Sequence, residues 1–406
     1  MESGGDVSTP APLEHVRALM GPAEPLPDRA EVVIVGGGIM GVSIAFHLAA
    51  AGVVDVLLIE RDTLGSGSSA KPVGGVRATF SDANNILLGM RSLDAFESFE
   101  HRFGRSIGLR QVGYLFLCRT EDQLSAVRTS VALQNTLGCA SRMISPAEAH
   151  ALNPFLDPDR LLAASFSPRD GYAEPAPVIA GYAAAARGLG VRFAEHTEVL
   201  EVGSGTGGRH RLRTQHGELS ADTVVIAAGA WSTALGAMLG VHLPIEAVRR
   251  QIGFTAQQVE PHPTVPFTLD LSTTLYFHNH RHGLLLGISD PAQEVGLCRE
   301  FSHGWTRAFD AAASLVAPSL AHRPLVGGWA GLYENTPDHN ALIGRAATGG
   351  VLYATGFSGH GFLQGPAVGE IVADLYLGRE PFLDPAPFSA ERFTGRRSLL
   401  HEVHII

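Results

Sequence analysis

Residues 31–41 read EVVIVGGGIMG, and this stretch decides the fold. Glu31 to Val35 is a short, β-branched run, apolar on both faces, which is the pattern of a buried parallel strand. Gly36-Gly37-Gly38 ends it. Met40 to Ala51 is small and apolar, with the spacing of a buried helix, and Asp55 to Ile59 is a second buried strand. Strand, helix and strand in this order predict a right-handed βαβ unit. Within it, Gly36-x-Gly38-x-x-Gly41 forms a dinucleotide fingerprint. Gly36 permits the tight turn, Gly38 lets a pyrophosphate approach the backbone, and Gly41 lets the helix pack closely on the sheet. The phosphates then meet free N–H groups and the positive end of the helix dipole. Glu60 ends the second strand, where its carboxylate accepts from adenosine ribose hydroxyls.

Working outward, the loop GSGSSAKPVGGVR (residues 65–77) follows the acid-bearing strand directly. Its small residues suit an extended cofactor and offer backbone amides to a flavin. Near the other end, TGFSGHGF (residues 355–362) leads into a helix predicted over Pro366–Leu377. That second helix N-terminus suits the electron-rich N1–C2=O edge of a reduced flavin. These features select FAD over NAD.

Between these ends, Ser92–Phe103 and Pro177–Gly188 have helical patterns, while Val191–Phe193, Asp222–Ala227 and Val351–Thr355 read as strands. From about residue 245 to 300 the style changes. Short strand-like runs at Gln251–Thr255, Leu275–His278 and Leu284–Ile288 are divided by Pro, His and Gly, predicting an antiparallel sheet. The expected fold is an α/β FAD-binding domain, Rossmann-like and of glutathione-reductase type, with an inserted α+β substrate domain carrying that sheet. The first takes residues 31–105, 150–240 and 325–385; the second takes 106–149 and 241–324. Residues 1–30, with a short helix predicted over Leu13–Met20, form an arm, and residues 386–406 a tail.

Composition narrows the function. The 406 residues are 45% hydrophobic and 17% charged, with a formal charge of −10. An acidic balance argues against nucleic acid as a partner. No apolar run reaches the length of a membrane span, and no secretory signal is seen. Cys118, Cys139 and Cys298 are scattered, which suits a reducing cytoplasm. His278-x-His280-x-His282 lacks an acidic or cysteine partner and suits a hairpin tip as well as a metal cluster; no metal is expected. Lys71 is the only lysine among 30 basic side chains, a place where arginine has not served.

Together, VVIVGGGIMG, GSSAKPVGGVR, VVIAAGAWS, GLYENTPDHNALIG and TGFSGHGF resemble the D-amino-acid-oxidase-like flavoprotein superfamily. The resemblance is strongest to its sarcosine oxidase, glycine oxidase, dimethylglycine dehydrogenase and proline dehydrogenase β-subunit branch, and it spans residues 31 to about 378. It implies FAD as cofactor, a small amine or amino acid as substrate, hydride transfer to flavin N5 and hydrolysis of the resulting imine. It implies cofactor contacts at Gly36, Gly38, Ile39, Met40, Gly41, Glu60 and Arg61, then at Ser68, Ser69, Lys71 and Gly75. Further contacts are implied at Val199, Ala228, Gly229, Trp231 and Gly331, and at Gly356, Gly359, His360, Gly361, Phe362 and Leu363.

The catalytic candidates are Arg77, Tyr276, Lys71 and His278. Arg77 matches an arginine that relatives place near the substrate carboxylate, a task suited to a bidentate fork. Tyr276 falls near a family tyrosine beside the substrate. His278 is a candidate for setting active-site charge near neutral pH. The departures are informative. Relatives that attach FAD through cysteine carry it where this chain has Gly331, and the N-terminal loop has no histidine for the alternative link, so the expected FAD is non-covalent. The oxygen-activating lysine is replaced by Leu285, and a carboxylate-binding lysine by Leu363. Oxygen is then expected to be a poor acceptor, with a redox partner protein possible, unless Lys71 supplies the missing charge. Two other readings stay open: a flavin-binding scaffold without turnover, and a flavin hydroxylase, although residues 355–359 lack the Gly-Asp of hydroxylases.

Overall fold

The computed structural model describes residues 26–258, 262–290, 292–394 and 402. The helix expected over Leu13–Met20 lies outside the described residues, as does nearly all of the tail beyond residue 394. Among the described residues no helix is long and apolar enough to cross a membrane.

Two eight-stranded sheets organise the chain. The first is centred on the opening strand, Arg29–Val35, which pairs in parallel with Gly217–Ile226 on one side and Val56–Ile59 on the other. Arg192–Ala194 and Val351–Thr355 extend the parallel core outward, and Leu342–Arg345 adds an antiparallel edge. The central strands are apolar on both faces because both are covered, one by long helices and the other by the strands Val199–Ser204 and His210–Thr214 with the short helix Ser232–Met238. One of the long helices, Ile39–Ala50, is buried almost all round between Pro175–Gly188 and Gly361–Leu377. Small residues make that approach possible. A Cβ on Gly369 would stand 2.2 Å from Ser43 Oγ, and one on Gly365 2.6 Å from Ile39.

The second sheet runs in the order Leu325–Asn335, Glu246–Thr255, Gly283–Ile288, Tyr276–His280, Phe267–Asp270, Tyr114–Cys118, Ala163–Ser167 and Arg142–Ile144. It departs from the sequence reading in three ways. Ala163–Ser167 and Leu325–Asn335, grouped above with the nucleotide domain, hydrogen-bond into this sheet. The sheet is not wholly antiparallel, since Phe267–Asp270 pairs in parallel with Tyr114–Cys118. The strand read from Gln251 begins five residues earlier, at Glu246. One face of the sheet is packed by Thr306–Val316 and Pro146–Leu152 around Phe309, Val316 and Leu115. The other face carries Tyr114, Phe116, Ile252, Phe267, Leu269, Tyr276 and Leu285 and turns toward the first sheet.

Helix ends also moved. The segment read as Ser92–Phe103 is two helices, Ala83–Glu97 and Phe99–Phe103, and Asp82 caps the first by accepting from the Asn84 and Asn85 amides. The last helix starts at Gly361, so Pro366 lies inside it.

Candidate active site

A single cleft runs along the carboxyl ends of the first sheet's parallel strands and beneath the aromatic face of the second. This is where open α/β sheets bind ligands. At one end Glu60 Oε2 accepts from Gly37 N at 2.7 Å and Oε1 from Asp62 N at 2.9 Å. Burial pushes its pKa up, and those two donors oppose the shift. Each oxygen keeps a lone pair for a sugar hydroxyl. Beside it the Arg61 guanidinium lies 3.7 Å from the Trp231 ring centre, and Val199 forms part of the wall.

The helix Ile39–Ala50 points its N-terminus into the cleft and has no acidic residue in its first turn. The turn before it is glycine by necessity. Gly36 has φ +115°, and a Cβ there would stand 2.3 Å from the Ala227 carbonyl oxygen. The Ile39 amide donates to Ser69 Oγ at 2.9 Å, and Ser68 Oγ donates to the Leu332 carbonyl at 2.8 Å. The small-residue loop is thereby tied to the start of this helix and to the second sheet. Farther along, Gly361–Leu377 presents a second N-terminus, again without an acid in its first turn, with Gly361, Phe362 and Leu363 lining the cleft. Two helix ends without an acid in their first turns, a ribose-type acid and a glycine cradle in one cleft fit FAD. Ile39 and Gly361 are the helix ends that could hold its phosphates and its ring.

Arg77 lines the cleft but is deeply held. Its Nη1 donates to the Thr79 carbonyl, its Nη2 lies 3.2 Å from His360 Nε2, and its guanidinium packs 4.0 Å from the Phe80 ring centre. Asp170 fixes the same turn, accepting from Ala78 N at 3.0 Å and Thr79 Oγ1 at 2.7 Å. Lys71 lies along Gly331, so closely that a Cβ on Gly331 would stand 2.8 Å from Lys71 Cβ. Burial, then the Arg299 charge, lowers the Lys71 pKa. Tyr276 reaches the cleft because its partner across the hairpin is Gly287, where a Cβ would come within 2.2 Å of the phenol ring.

Of the catalytic and cofactor-contact candidates, three do not line the cleft. Gly41 lies beneath it, where a Cβ would stand 1.8 Å from the Gly36 carbonyl oxygen. Gly356, at φ +68°, packs on Thr336 and Leu342. His278 is the third, and the structure corrects its assignment as a catalytic group. Its Nε2 lies 2.9 Å from the Val73 carbonyl and its Nδ1 2.7 Å from the Asn279 carbonyl, with Tyr172 and Phe267 against the ring. It is 3% exposed, and burial lowers its pKa to about 4. Its strand ends in a hairpin whose tip holds Arg281 at φ +53°, the tip geometry weighed above for the three histidines. Among the described residues no group of three or more His, Cys, Asp and Glu is placed to hold a metal.

Among the lining residues that escaped the sequence reading are Arg250, Tyr333, Glu334 and Arg299. Arg250 faces the cleft beside Ile252 on Glu246–Thr255 and pairs across with Gly331. Its Nε is buried without a hydrogen-bond partner, and its guanidinium lies 5.3 Å from the Tyr333 ring centre. The legible signal was alternation: Val248, Arg250, Ile252 and Phe254 share one face, and only one of them is charged. Starting the strand at Gln251 hid it.

Comparison with known proteins agrees with this geometry. The family model described as "FAD dependent oxidoreductase" matches residues 31–375. Glycine oxidase of Geobacillus kaustophilus is 30% identical over 377 residues, covering 91% of this chain and 98% of that protein. Mitochondrial dimethylglycine dehydrogenase of Rattus norvegicus is 28% identical over 386 residues, and the match spans 90% of this chain but only 45% of that longer protein. The chain thus spans under half the length of that relative. Among solved structures, L-proline dehydrogenase from P. horikoshii superposes with a TM-score of 0.84 at 31% identity, covering 91% of this chain and 99% of that one. By its matched length and by the cleft just described, the chain belongs to the FAD dependent oxidoreductase family, and FAD is its cofactor.

Proposed function

We propose that this chain oxidises the C–N bond of an amine that also bears a carboxylate, an amino acid or an N-substituted glycine. The observation that carries this reading is Arg250: a cation facing the cleft between Tyr276 and Tyr333, with Nε buried and unpartnered. An unpaired buried donor is costly unless a ligand completes it. A carboxylate matches the guanidinium fork. In this reading the second sheet is the substrate domain, and Arg77 braces the loop and His360 near the ring.

Bound FAD supplies the two-electron acceptor. The chain's own residues hold the substrate and exclude water. Burial pushes the Tyr276 and Tyr333 phenols up, so they stay protonated and donate rather than act as bases. The amine must therefore arrive neutral, and the neighbouring cations Arg250 and Lys71 favour that form by disfavouring ammonium. A hydride leaves the carbon bearing nitrogen. The imine then takes up water and splits to a carbonyl compound and an amine. Leu285 in the sheet face and Leu363 at the helix start place no charge over the ring, so we propose slow reoxidation by oxygen and another acceptor, such as a redox partner protein. Gly331 offers no thiol for attachment, and the FAD of this reading is non-covalent.

The test is anaerobic mixing of the holoenzyme with N-alkyl glycines, cyclic imino acids and amino acids, each beside the matching amine that lacks the carboxylate. Bleaching of the flavin absorbance without NAD(P)H is expected. Arg250→Met is expected to weaken binding of the reducing substrate about 10- to 100-fold, the size of a lost charged hydrogen bond. If the carboxylate-free amine reduces the flavin as well as the acid does, the carboxylate reading fails. If no amine reduces it, the reaction class fails.

A further inference from the structure

We propose that Glu334 binds the cofactor, its carboxylate accepting a hydrogen bond from a ribityl hydroxyl of FAD. Glu334 belongs to the second-sheet strand Leu325–Asn335, yet its side chain ends on the first sheet. Its Oε2 lies 3.2 Å from Thr355 Oγ1, and the backbone N–H groups of Gly356 and Phe357 are near enough to oppose the upward shift of its pKa. A Cβ on Gly229 would stand 3.3 Å from the same oxygen. Thr355 and Gly229 close two neighbouring parallel strands, Val351–Thr355 and Gly217–Ile226. The carboxylate thus sits on the carboxyl edge of the sheet and lines the cleft beside Gly229, Ser358 and Gly359.

Position along the cleft identifies the ligand group. With the phosphates at the Ile39 helix end and the ring toward the Gly361 helix end, the segment between them would be the ribityl chain. Glu334 lies between these ends. Among the described residues it has no ion-pair partner, so its charge rests on neutral donors alone. A carboxylate accepts about four hydrogen bonds; the side-chain donor within reach, Thr355 Oγ1, is shared with Ser232 Oγ at 2.8 Å, so lone pairs remain for a hydroxyl in the cleft. Burial pushes the pKa up to about 7, as expected of an acid whose donors are incomplete before the cofactor arrives.

The inference rests on FAD binding and not on the proposed amine chemistry, so its test contains no amine. Apoprotein of wild type, Glu334→Ala and Glu334→Gln is titrated, followed by flavin fluorescence. The probes are FAD and analogues each lacking one ribityl hydroxyl. One analogue is expected to bind wild type about 10- to 100-fold more weakly than FAD, and to bind Glu334→Ala as well as FAD does. Equal losses in wild type and Glu334→Ala for every analogue overturn the proposal, as does unchanged FAD affinity in Glu334→Ala. Circular dichroism checks folding. Where the alanine variant does not fold, the isosteric Glu334→Gln decides: a severalfold smaller penalty for the critical analogue supports the charged acceptor, and an unchanged penalty overturns it.

Discussion

Ser69 Oγ stands 2.9 Å from the amide of Ile39, thirty residues earlier in the chain, and closes the cofactor loop onto the start of the first helix. The two glycines of that turn face different obstacles. A Cβ on Gly38 meets the Ser69 side-chain oxygen at 2.9 Å, whereas one on Gly41 meets the Gly36 backbone oxygen at 1.8 Å. A hydroxyl can rotate away; a buried backbone cannot. Gly38→Ala is therefore expected to fold with nearly unchanged Tm and to lose FAD affinity about 10-fold or more. Gly41→Ala is expected to destabilise the apoprotein by about 1–3 kcal/mol, the range of overpacking in a tight core. Thermal melts with and without FAD, alongside flavin content, separate the two. Equal effects on melting would contradict this division.

Glu60 stitches its own turn before any ligand binds. Its two oxygens take the Gly37 and Asp62 amides. Glu60→Gln keeps the size but turns one oxygen into a donor facing an N–H. The expected cost is about 1–3 kcal/mol of apoprotein stability, together with weaker FAD binding. Urea unfolding and FAD titration on the same variant measure both. A variant with unchanged urea midpoint would mean that these hydrogen bonds contribute little.

The relation between sequence and structure explains what could be read early. The cofactor end was legible because its chemistry is written in consecutive residues: strand, glycines, helix and terminal acid within residues 31–60. The opposite wall was not, because it is built from residues distant in sequence. Arg250, Tyr276 and Tyr333 lie on three strands and meet only through the register of the sheet. Tyr276 was found because a family pattern marks it, whereas Arg250 was lost because its strand, which begins at Glu246, was started at Gln251. His278 shows the opposite error. A histidine two residues from Tyr276 shares its face, but farther along the strand that face abuts Val73 and Tyr172 instead of the cleft. Glu334 had no local signal, since its partners lie on the other sheet.

Lys71 bears on the electron acceptor. It lies in the cleft along Gly331, with its pKa lowered by burial and by Arg299. A cation near the ring stabilises the negative charge that develops as oxygen is reduced. With leucine at 285 and 363, Lys71 is the candidate for what oxygen reactivity the enzyme has. Lys71→Met is expected to slow reoxidation of the reduced flavin by oxygen about 10-fold or more, with anaerobic reduction by substrate changed far less. Stopped-flow oxidation of photoreduced enzyme tests this directly. A fast oxygen reaction that persists in Lys71→Met would remove the lysine from this role.

His278 sets a pH dependence of the fold instead of the reaction. Burial lowers its pKa from 6.5 to about 4. The folded state thus binds fewer protons than the unfolded chain between these values, so stability from this group is full above pH 6.5 and is lost as pH falls toward 4. The linkage is about 3 kcal/mol in all, of which about 2 kcal/mol goes between pH 7 and pH 5. Asp170 works in the opposite sense. Its pKa is raised by burial from 3.8 to about 6, so its contribution is present below 3.8 and lost as pH rises through 6. The two partly cancel across the same window, and single variants unmask each. His278→Gln keeps an N–H for the Val73 carbonyl and is expected to lower stability at pH 7 while flattening the loss on acidification. Asp170→Asn is expected to steepen that loss. Urea midpoints at pH 7 and pH 5 measure both slopes, and parallel slopes in wild type and His278→Gln would show that the buried imidazole does not carry the acid limb.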